Sequence, residues 1–307
     1  MSKSLGDIRK KIDTLDNKIH DVLMQRAELI DDIITEKRKH NLQFVHPARE
    51  AQMIRRLLAR HDGSLPAAAI IRIWRELVGA VSLLQTGLKV SVYTPEGNTL
   101  IWDHSKAYFG SVVAMQRIAS PLVALSSVRE GESSFAVLPW PQDNEEPAWW
   151  TYLMDPDSDI KIVCVLPYGT IENKPEDTAE KAVVISKIGF NPSGEDHSFI
   201  AMEIDRSVSR GRIVDALKAL SFDPLSVTSL THADAQGHSM HLVEADDYLA
   251  DDDERLTAFC QSFEGLDVRV KVLGGYPVPP VLSASNFGKM PSSIPSAPPS
   301  EKTAKKK

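Results

Sequence analysis

The sequence predicts an all-helical N-terminal domain followed by α/β and α+β domains in one chain of 307 residues. Two observations carry this fold class. Apolar residues recur at three- and four-residue steps over residues 8–33, as on one face of a helix, and no Gly or Pro interrupts Asp7–Phe44. From Lys89 onward, short apolar runs alternate with amphipathic segments, as strands and helices alternate in α/β proteins. The predicted units are residues 1–88, 89–175 and 180–280, with a disordered tail at 281–307.

Three helices are predicted in the first unit. The first would be about 50–55 Å long at 1.5 Å per residue, which is too long to bury its apolar stripe against its own short chain. We therefore expect it to pack on other helices, including those of a second subunit. Pro47 opens the second helix and Gly87 closes the third. The third helix is predicted to turn seven apolar residues inward: Ile70, Ile73, Trp74, Leu77, Val78, Val81 and Leu84.

The remainder of the chain alternates between predicted strands and helices. The predicted helices cover residues 104–118, 209–220 and 252–263. Strands are predicted at residues 89–94, 135–140, 160–169, 182–187, 197–205, 241–246 and 268–277.

Composition narrows the class of protein. The net charge of −7 argues against nucleic-acid binding. The two cysteines, Cys164 and Cys260, have no CxxC spacing, which suits a reducing compartment and gives no zinc signature. No apolar run approaches the roughly 20 residues of a membrane span, and the N-terminus has no signal-peptide core. We expect a cytoplasmic protein that contacts no membrane and needs neither cofactor nor metal.

A set of polar residues does not fit a plain helix bundle. Arg26 and Lys37 are eleven residues apart, three turns plus about 20°, so both project from one side of the first helix. Buried cations are costly unless an anion meets them. Arg9 is rotated by about 100° from Arg26 and could reach the site of a neighbouring subunit. From the spacing alone, a solvated helix face and an anion-binding site both remain open.

The order of these residues resembles the all-helical class of chorismate mutases. The matching segments are DIRKKIDTLDNKIHDVLMQRAELI (7–30), EKRK (36–39), HPARE (46–50) and IWRELVGAVSLLQ (73–85). The resemblance implies an intertwined homodimer whose long first helix spans both active sites, with chorismate as substrate.

The resemblance also implies the roles of individual residues. Arg9 from the partner and Arg26 would each hold a substrate carboxylate. Lys37 would contact the ether oxygen and a carboxylate, and Gln85 would donate to the same oxygen. Glu50 would accept a hydrogen bond from the ring hydroxyl. The rearrangement to prephenate is pericyclic, so holding the compact conformer and stabilising charge on the ether oxygen would suffice for catalysis.

Two positions depart from the family pattern. His46 stands where the family often has Asp, and Val81 stands where it often has Ser, with Ser82 beside it. Both positions stay in the predicted substrate-binding set, together with Arg49 at the substrate's edge. The departures bear on substrate affinity more than on the reaction.

Residues 89–280 resemble, more weakly, a prephenate dehydratase with a C-terminal ACT domain, as in the bifunctional mutase–dehydratase. The family's catalytic T-R-F is here Glu180-Lys181-Ala182, and P-I-E-N-S is replaced by residues 139–143. We therefore expect a degenerate dehydratase. The segment GRIVDAL (211–217) could bind an aromatic amino acid as effector. Three functions stay open: a monofunctional chorismate mutase, a bifunctional mutase–dehydratase, and a non-catalytic regulatory protein.

Overall fold

Three helices lead the chain, as the sequence predicts. The computed structural model describes residues 4–40, 43, 45–97, 99–172, 178–231 and 237–283. Helix α1 spans Leu5–Lys39, α2 spans Pro47–Ala59 and α3 spans Ala67–Thr86. Pro47 occupies the first turn of α2, and Gly87 ends α3 with a left-handed φ of 65°. Both are the positions where these residue types suit a helix end.

The predicted inward face of α3 was wrong at two of its seven positions, whereas Val78 is buried as predicted. The structure leaves Ile73 and Leu84 exposed. The buried residues are Ala67, Ile71, Arg75, Val78, Gly79, Ser82 and Gln85. This buried face contains a cation, an amide and a hydroxyl. The pattern of apolar residues alone therefore does not identify which side of α3 is buried.

Among the described residues that follow α3, there are four α-helices, α4 to α7, and eleven strands, β1 to β11. The helices are Leu100–Phe109, Pro121–Arg129, Arg210–Ala219 and Glu254–Gln261. The strands β1 to β6 are Lys89–Tyr93, Ala114–Ile118, Phe135–Pro139, Lys161–Leu166, Thr170–Ile171 and Ala182–Ser186. The strands β7 to β11 are Asp196–Asp205, Pro224–Leu230, His238–Ala245, Val268–Pro277 and Val281–Leu282.

Nine of these strands form one sheet in the order β2-β1-β3-β6-β4-β10-β7-β9-β8. Strand β1 runs parallel to β2 and β3, and β6 lies antiparallel between β3 and β4. Elements β7-α6-β8-β9-α7-β10 form a βαββαβ unit of the ferredoxin-like kind. The fold class is therefore confirmed. Two predicted units share this sheet, so their division at residues 175–180 stays a prediction.

Gly274 allows the two halves of the sheet to meet. Its φ is +101°, and a Cβ at this position would lie 2.2 Å from the carbonyl oxygen of Ile162. Gly274 of β10 is the residue that pairs with Ile162 of β4. A side chain here would both strain the backbone and separate the strands.

Two further predictions need correction. The segment 104–118 is not one helix, because α4 ends at Phe109, Gly110 takes a φ of +91°, and Ala114–Ile118 form β2. The predicted tail begins too early, because Val281–Leu282 pair with β5. Residues 284–307 of that tail lie outside the described residues.

Both faces of the sheet are covered. In β6, Val183 and Ile185 face the cluster that contains α5 and Trp149, whereas Ala182 and Val184 face the cluster that contains α4. This alternation follows from the two-residue period of a strand. Among the helices that the structure describes, none combines the length and the apolar character needed to cross a membrane.

Candidate functional site

Helix α1 carries three of the predicted cations at very different distances from one another. Arg26 and Lys37 are half-buried, whereas Arg9 is exposed. Along the helix axis, Arg26 lies about 16 Å and Arg9 about 42 Å from Lys37, at 1.5 Å per residue. Within one chain, Arg9 therefore cannot share a small-molecule site with Lys37.

Charges from the start of α2 surround the end of α1. Partial burial lowers the pKa of Lys37, and the positive charge of Arg49 lowers it further, while Glu50 opposes both. Burial also lowers the pKa of His46, as does the charge of Lys37. Lys37 therefore interacts electrostatically with Arg49 and Glu50 at the start of α2, and with His46 directly before it.

A cavity of about 190 Å³ opens beside this junction. His46, Arg49 and Gln52 line it from α2, and Phe190 and Asn191 line it from the segment before β7. Helix α2 is fixed to the same segment by Arg55, whose Nη2 donates to the carbonyl of Glu195 at 2.7 Å. The α/β region thus packs against one side of the α1–α2 junction.

Glu50 is already engaged by a buried cation. Arg75 Nη1 on α3 donates to Glu50 Oε2 at 2.7 Å, and the two side chains are 4% and 13% exposed. Arg75 Nε also donates to the carbonyl of Tyr108 at 2.6 Å. Burial alone would lower the pKa of Arg75, but Tyr108 and the Glu50 carboxylate more than offset this and raise it. The guanidinium therefore remains charged inside the protein.

Gln85 and Val81 lie further along α3. Gln85 is buried at 9% exposure, Val81 is half-buried, and Ser82 is buried beside it. Gln85 lies ten residues from Arg75, about 15 Å along the helix axis. The structure thus gathers four of the predicted residues at one junction and places Arg9, Arg26, Val81 and Gln85 at a distance along α1 and α3.

The residue that sequence reasoning missed is Arg75. A signal for it exists, since Arg75 lies between the buried Ile71 and Val78 at helical spacing, where a lone cation needs a partner. Its partners, Glu50 and Tyr108, lie 25 and 33 residues away. No local pattern identifies them.

A second cavity of about 400 Å³ lies between α3 and the ends of the central strands β4, β7 and β10. Its lining includes Thr170, Glu180, Lys181, His197 and Tyr276. His197 Nδ1 and Tyr276 Oη are 2.9 Å apart, and Tyr276 Oη donates to a carboxylate oxygen of Glu244. Burial would raise the pKa of Glu244, but hydrogen bonds from His197 and Tyr276 lower it. Two residues of the cavity lining, His197 and Tyr276, therefore contact a charged and buried carboxylate, that of Glu244.

The helical region has a clear family match. Residues 8–86 match the family model of type II chorismate mutases. This region is a chorismate mutase domain. The match covers α1, α2 and α3 almost completely, so the resemblance found in the sequence is confirmed for these helices.

Longer relatives are bifunctional enzymes. The chain is 29% identical over 144 residues to the bifunctional chorismate mutase/prephenate dehydratase of Pseudomonas aeruginosa, covering 44% of this chain and 38% of that protein. It is 27% identical over 164 residues to the enzyme of the same name from Aquifex aeolicus, covering 52% and 45%. The matched part thus spans less than half the length of each relative.

One solved structure with a related description is that of a prephenate dehydratase from Streptococcus mutans. It covers 64% of this chain and 99% of its own, with 13% identity and a TM-score of 0.41. This likeness is weak.

Proposed function

We propose that this protein is a chorismate mutase that converts chorismate to prephenate in the biosynthesis of phenylalanine and tyrosine. The observation that carries the proposal is the cavity lined by His46 and Arg49 at the α1–α2 junction, within a region that matches the mutase family. A dianionic substrate needs fixed cations, and arginine suits bidentate capture of a carboxylate.

The residues would share the work as follows. Arg26 and the Arg9 of a partner subunit bind the two carboxylates and hold the substrate in its compact, near-attack conformer. Lys37 and Gln85 donate to the ether oxygen as its bond to the ring breaks and negative charge develops there. Glu50 accepts from the ring hydroxyl through Oε1, because Arg75 occupies Oε2. Arg49, His46 and Val81 border the substrate.

A homodimer would complete this site. Arg9 lies about 42 Å along α1 from Lys37, so its predicted role requires a second subunit. The described residues leave the stripe on α1 largely uncovered, since Leu15 and Ile19 are 56% and 59% exposed. A large exposed apolar stripe of this kind is typical of a subunit interface.

A second candidate is the bifunctional mutase–dehydratase, the activity named for both relatives. The observation that favours it is the 400 Å³ cavity, which is lined by Glu180 and Lys181 at the predicted place of the dehydratase motif. Dehydration with loss of CO₂ needs a proton donor to the leaving hydroxyl. His197 and Tyr276 could supply the proton that the missing threonine supplies in the family.

We also propose that the enzyme works in the cytoplasm, with an aromatic amino acid as effector at residues 211–217. Two observations support this: Cys164 and Cys260 are free thiols, and residues 211–217 form most of α6 in the ferredoxin-like unit. Calorimetric titration with L-phenylalanine and L-tyrosine tests the effector. If neither amino acid gives a heat of binding, that part of the proposal is wrong.

One assay separates the functions. Purified protein is incubated with chorismate, and chorismate, prephenate and phenylpyruvate are quantified by chromatography. Prephenate without phenylpyruvate supports the monofunctional mutase, whereas enzymatic phenylpyruvate supports the bifunctional enzyme. Intact chorismate rejects both and leaves a non-catalytic regulator, for which binding of chorismate is then measured by calorimetry.

A further inference from the structure

Arg75 is a buried cation that the proposed chemistry does not yet use. It lies near the middle of α3, with only 3% of its surface exposed. Enclosing a guanidinium is costly unless its charge and its donors are met. Its partners therefore indicate what it does.

Those partners connect two parts of the molecule. On one side, Nη1 donates to Glu50 Oε2 at the start of α2. On the other, Nε donates to the carbonyl of Tyr108, and the guanidinium carbon lies 3.7 Å from the centre of the Tyr108 ring. Tyr108 belongs to α4 of the α/β region and is itself buried. Arg75 therefore links a predicted substrate-binding carboxylate to a helix outside the mutase domain.

The contact between α3 and α4 is close and has little room to shift. A Cβ on Gly79 would lie 1.8 Å from the carbonyl oxygen of Phe109, so only glycine fits where the two helices meet. Three residues before Gly79 on α3, Glu76 Oε2 accepts from the backbone N–H of Ser111 at 2.9 Å. The α/β region thus fixes the position of α3 around Arg75.

We propose that Arg75 is a positioning residue for the mutase: it orients the Glu50 carboxylate at the substrate site, and Tyr108 of the α/β region in turn fixes Arg75. The inference rests on the proposed function, in which Glu50 accepts a hydrogen bond from the ring hydroxyl of the substrate. It gives residues 89–280 a role in mutase activity that does not depend on a second reaction. The charged fork of arginine suits this role because it reaches two acceptors at once in a fixed geometry.

The test is a double-mutant cycle in the full-length chain, with kcat and KM measured for chorismate. The variants are Arg75→Leu, Glu50→Gln and their combination, with Arg72→Leu as control, since Arg72 is an exposed arginine on the same helix. Arg75→Leu is expected to lower kcat/KM by about 10- to 100-fold, mainly through KM, because Glu50 contacts the hydroxyl in both the ground state and the transition state. In the Glu50→Gln background the same change is expected to cost less than about threefold.

Arg75→Lys keeps the test decisive if the leucine variant does not fold. Lysine retains the charge but cannot reach Glu50 and the Tyr108 carbonyl together, so we expect a KM increase with a smaller loss of thermal midpoint than Arg75→Leu causes. Arg72→Leu is expected to match wild type.

The outcomes distinguish this inference from the proposed function. If wild type turns over chorismate and the effects of Arg75→Leu and Glu50→Gln multiply independently, Arg75 is merely structural and the inference is wrong. If Arg75→Lys leaves KM unchanged, the inference is also wrong. If wild type leaves chorismate intact, the proposed function fails, and the positioning role fails with it.

Discussion

The two regions of this chain bury their apolar residues to very different degrees. In the sheet, Ile185 of β6 is completely buried between strands and helices of the same chain. On α1, Ile19 is 59% exposed, and Ile30 is one of the few apolar residues of that helix to be buried. Equivalent side chains thus have opposite surroundings in the two regions.

The two regions therefore gain their stability in different ways. Burying an isoleucine fully is worth about 1.5–3 kcal/mol, so the sheet gains this energy within one chain. The stripe on α1 can gain it only from another surface. We therefore expect the sheet region to be stable at any protein concentration and the mutase site to form as subunits pair.

The comparison is tested most strongly by removing the same side-chain atoms in both regions. Ile185→Ala leaves a cavity in a closed core and is expected to lower the free energy of unfolding by about 2–5 kcal/mol at every protein concentration. The matched change Ile19→Ala is expected to lower the free energy of unfolding by less as the protein is diluted, because the subunits then separate and residue 19 is exposed to solvent. Urea unfolding at two protein concentrations a hundredfold apart measures both effects. If the effects of the two variants depend equally on protein concentration, the comparison is contradicted.

The next effect concerns catalysis and separates it from stability. Lys37→Ala and Arg26→Ala are each expected to lower kcat/KM for chorismate at least about 10²-fold, as the loss of an oxyanion donor does. Lys39→Ala is the control, because Lys39 is exposed two residues away and pairs with Glu36 at 2.6 Å. A loss below tenfold for either Lys37 or Arg26 would remove its assigned role.

A charge on the stripe tests the proposed subunit interface. Ile19→Asp is expected to weaken the dimer at least about tenfold, because a carboxylate would be buried without a partner. Asn17→Asp adds the same charge about 200° around the helix and is expected to leave the dimer intact. Sedimentation equilibrium measures both. A monomeric wild-type protein, or equal effects of the two variants, would contradict the interface.

The smallest expected effect is a pH dependence. Because burial and Arg49 lower the pKa of Lys37, its charge is lost at a lower pH than for an exposed lysine. The value of kcat/KM is therefore expected to fall as pH rises through that lowered pKa. Lys37→Arg stays charged and is expected to move the fall to higher pH. If the wild type and Lys37→Arg lose kcat/KM over the same pH range, this assignment is wrong.

Sequence reasoning succeeded where structure follows from local spacing. The stripe on α1, Pro47 at the start of α2 and the alternation in β6 all have a fixed period that the chain displays directly. It failed where partners are distant. On α3, Arg75 can lie on the buried face because Glu50 and Tyr108 contact its charged group. Gln85 lies on the same face, whereas Ile73 and Leu84 are exposed. Between residues 104 and 118, Gly110 ends the helix so that β2 can pair with β1.

The site was predictable in part for the same reason. The order of Arg26, Lys37, Arg49, Glu50 and Gln85 along the chain indicates a mutase, and their roles stay predictions. The sequence does not display that Glu50 is already held by a cation anchored in the other region. That contact depends on how α3 packs against α4, which no residue spacing encodes.

Strand β10 is among the last elements of the chain, yet it lies in the middle of the nine-stranded sheet, between β4 and β7. During synthesis the sheet cannot close until Pro277 has left the ribosome, whereas α3 is complete at Thr86. At about 5–20 residues per second, the three mutase helices wait roughly 10–40 s for the rest of the chain. Throughout that interval the apolar stripe of a nascent chain is available to a neighbour on the same messenger RNA. We expect subunits to find each other on the polysome, before either one has finished folding.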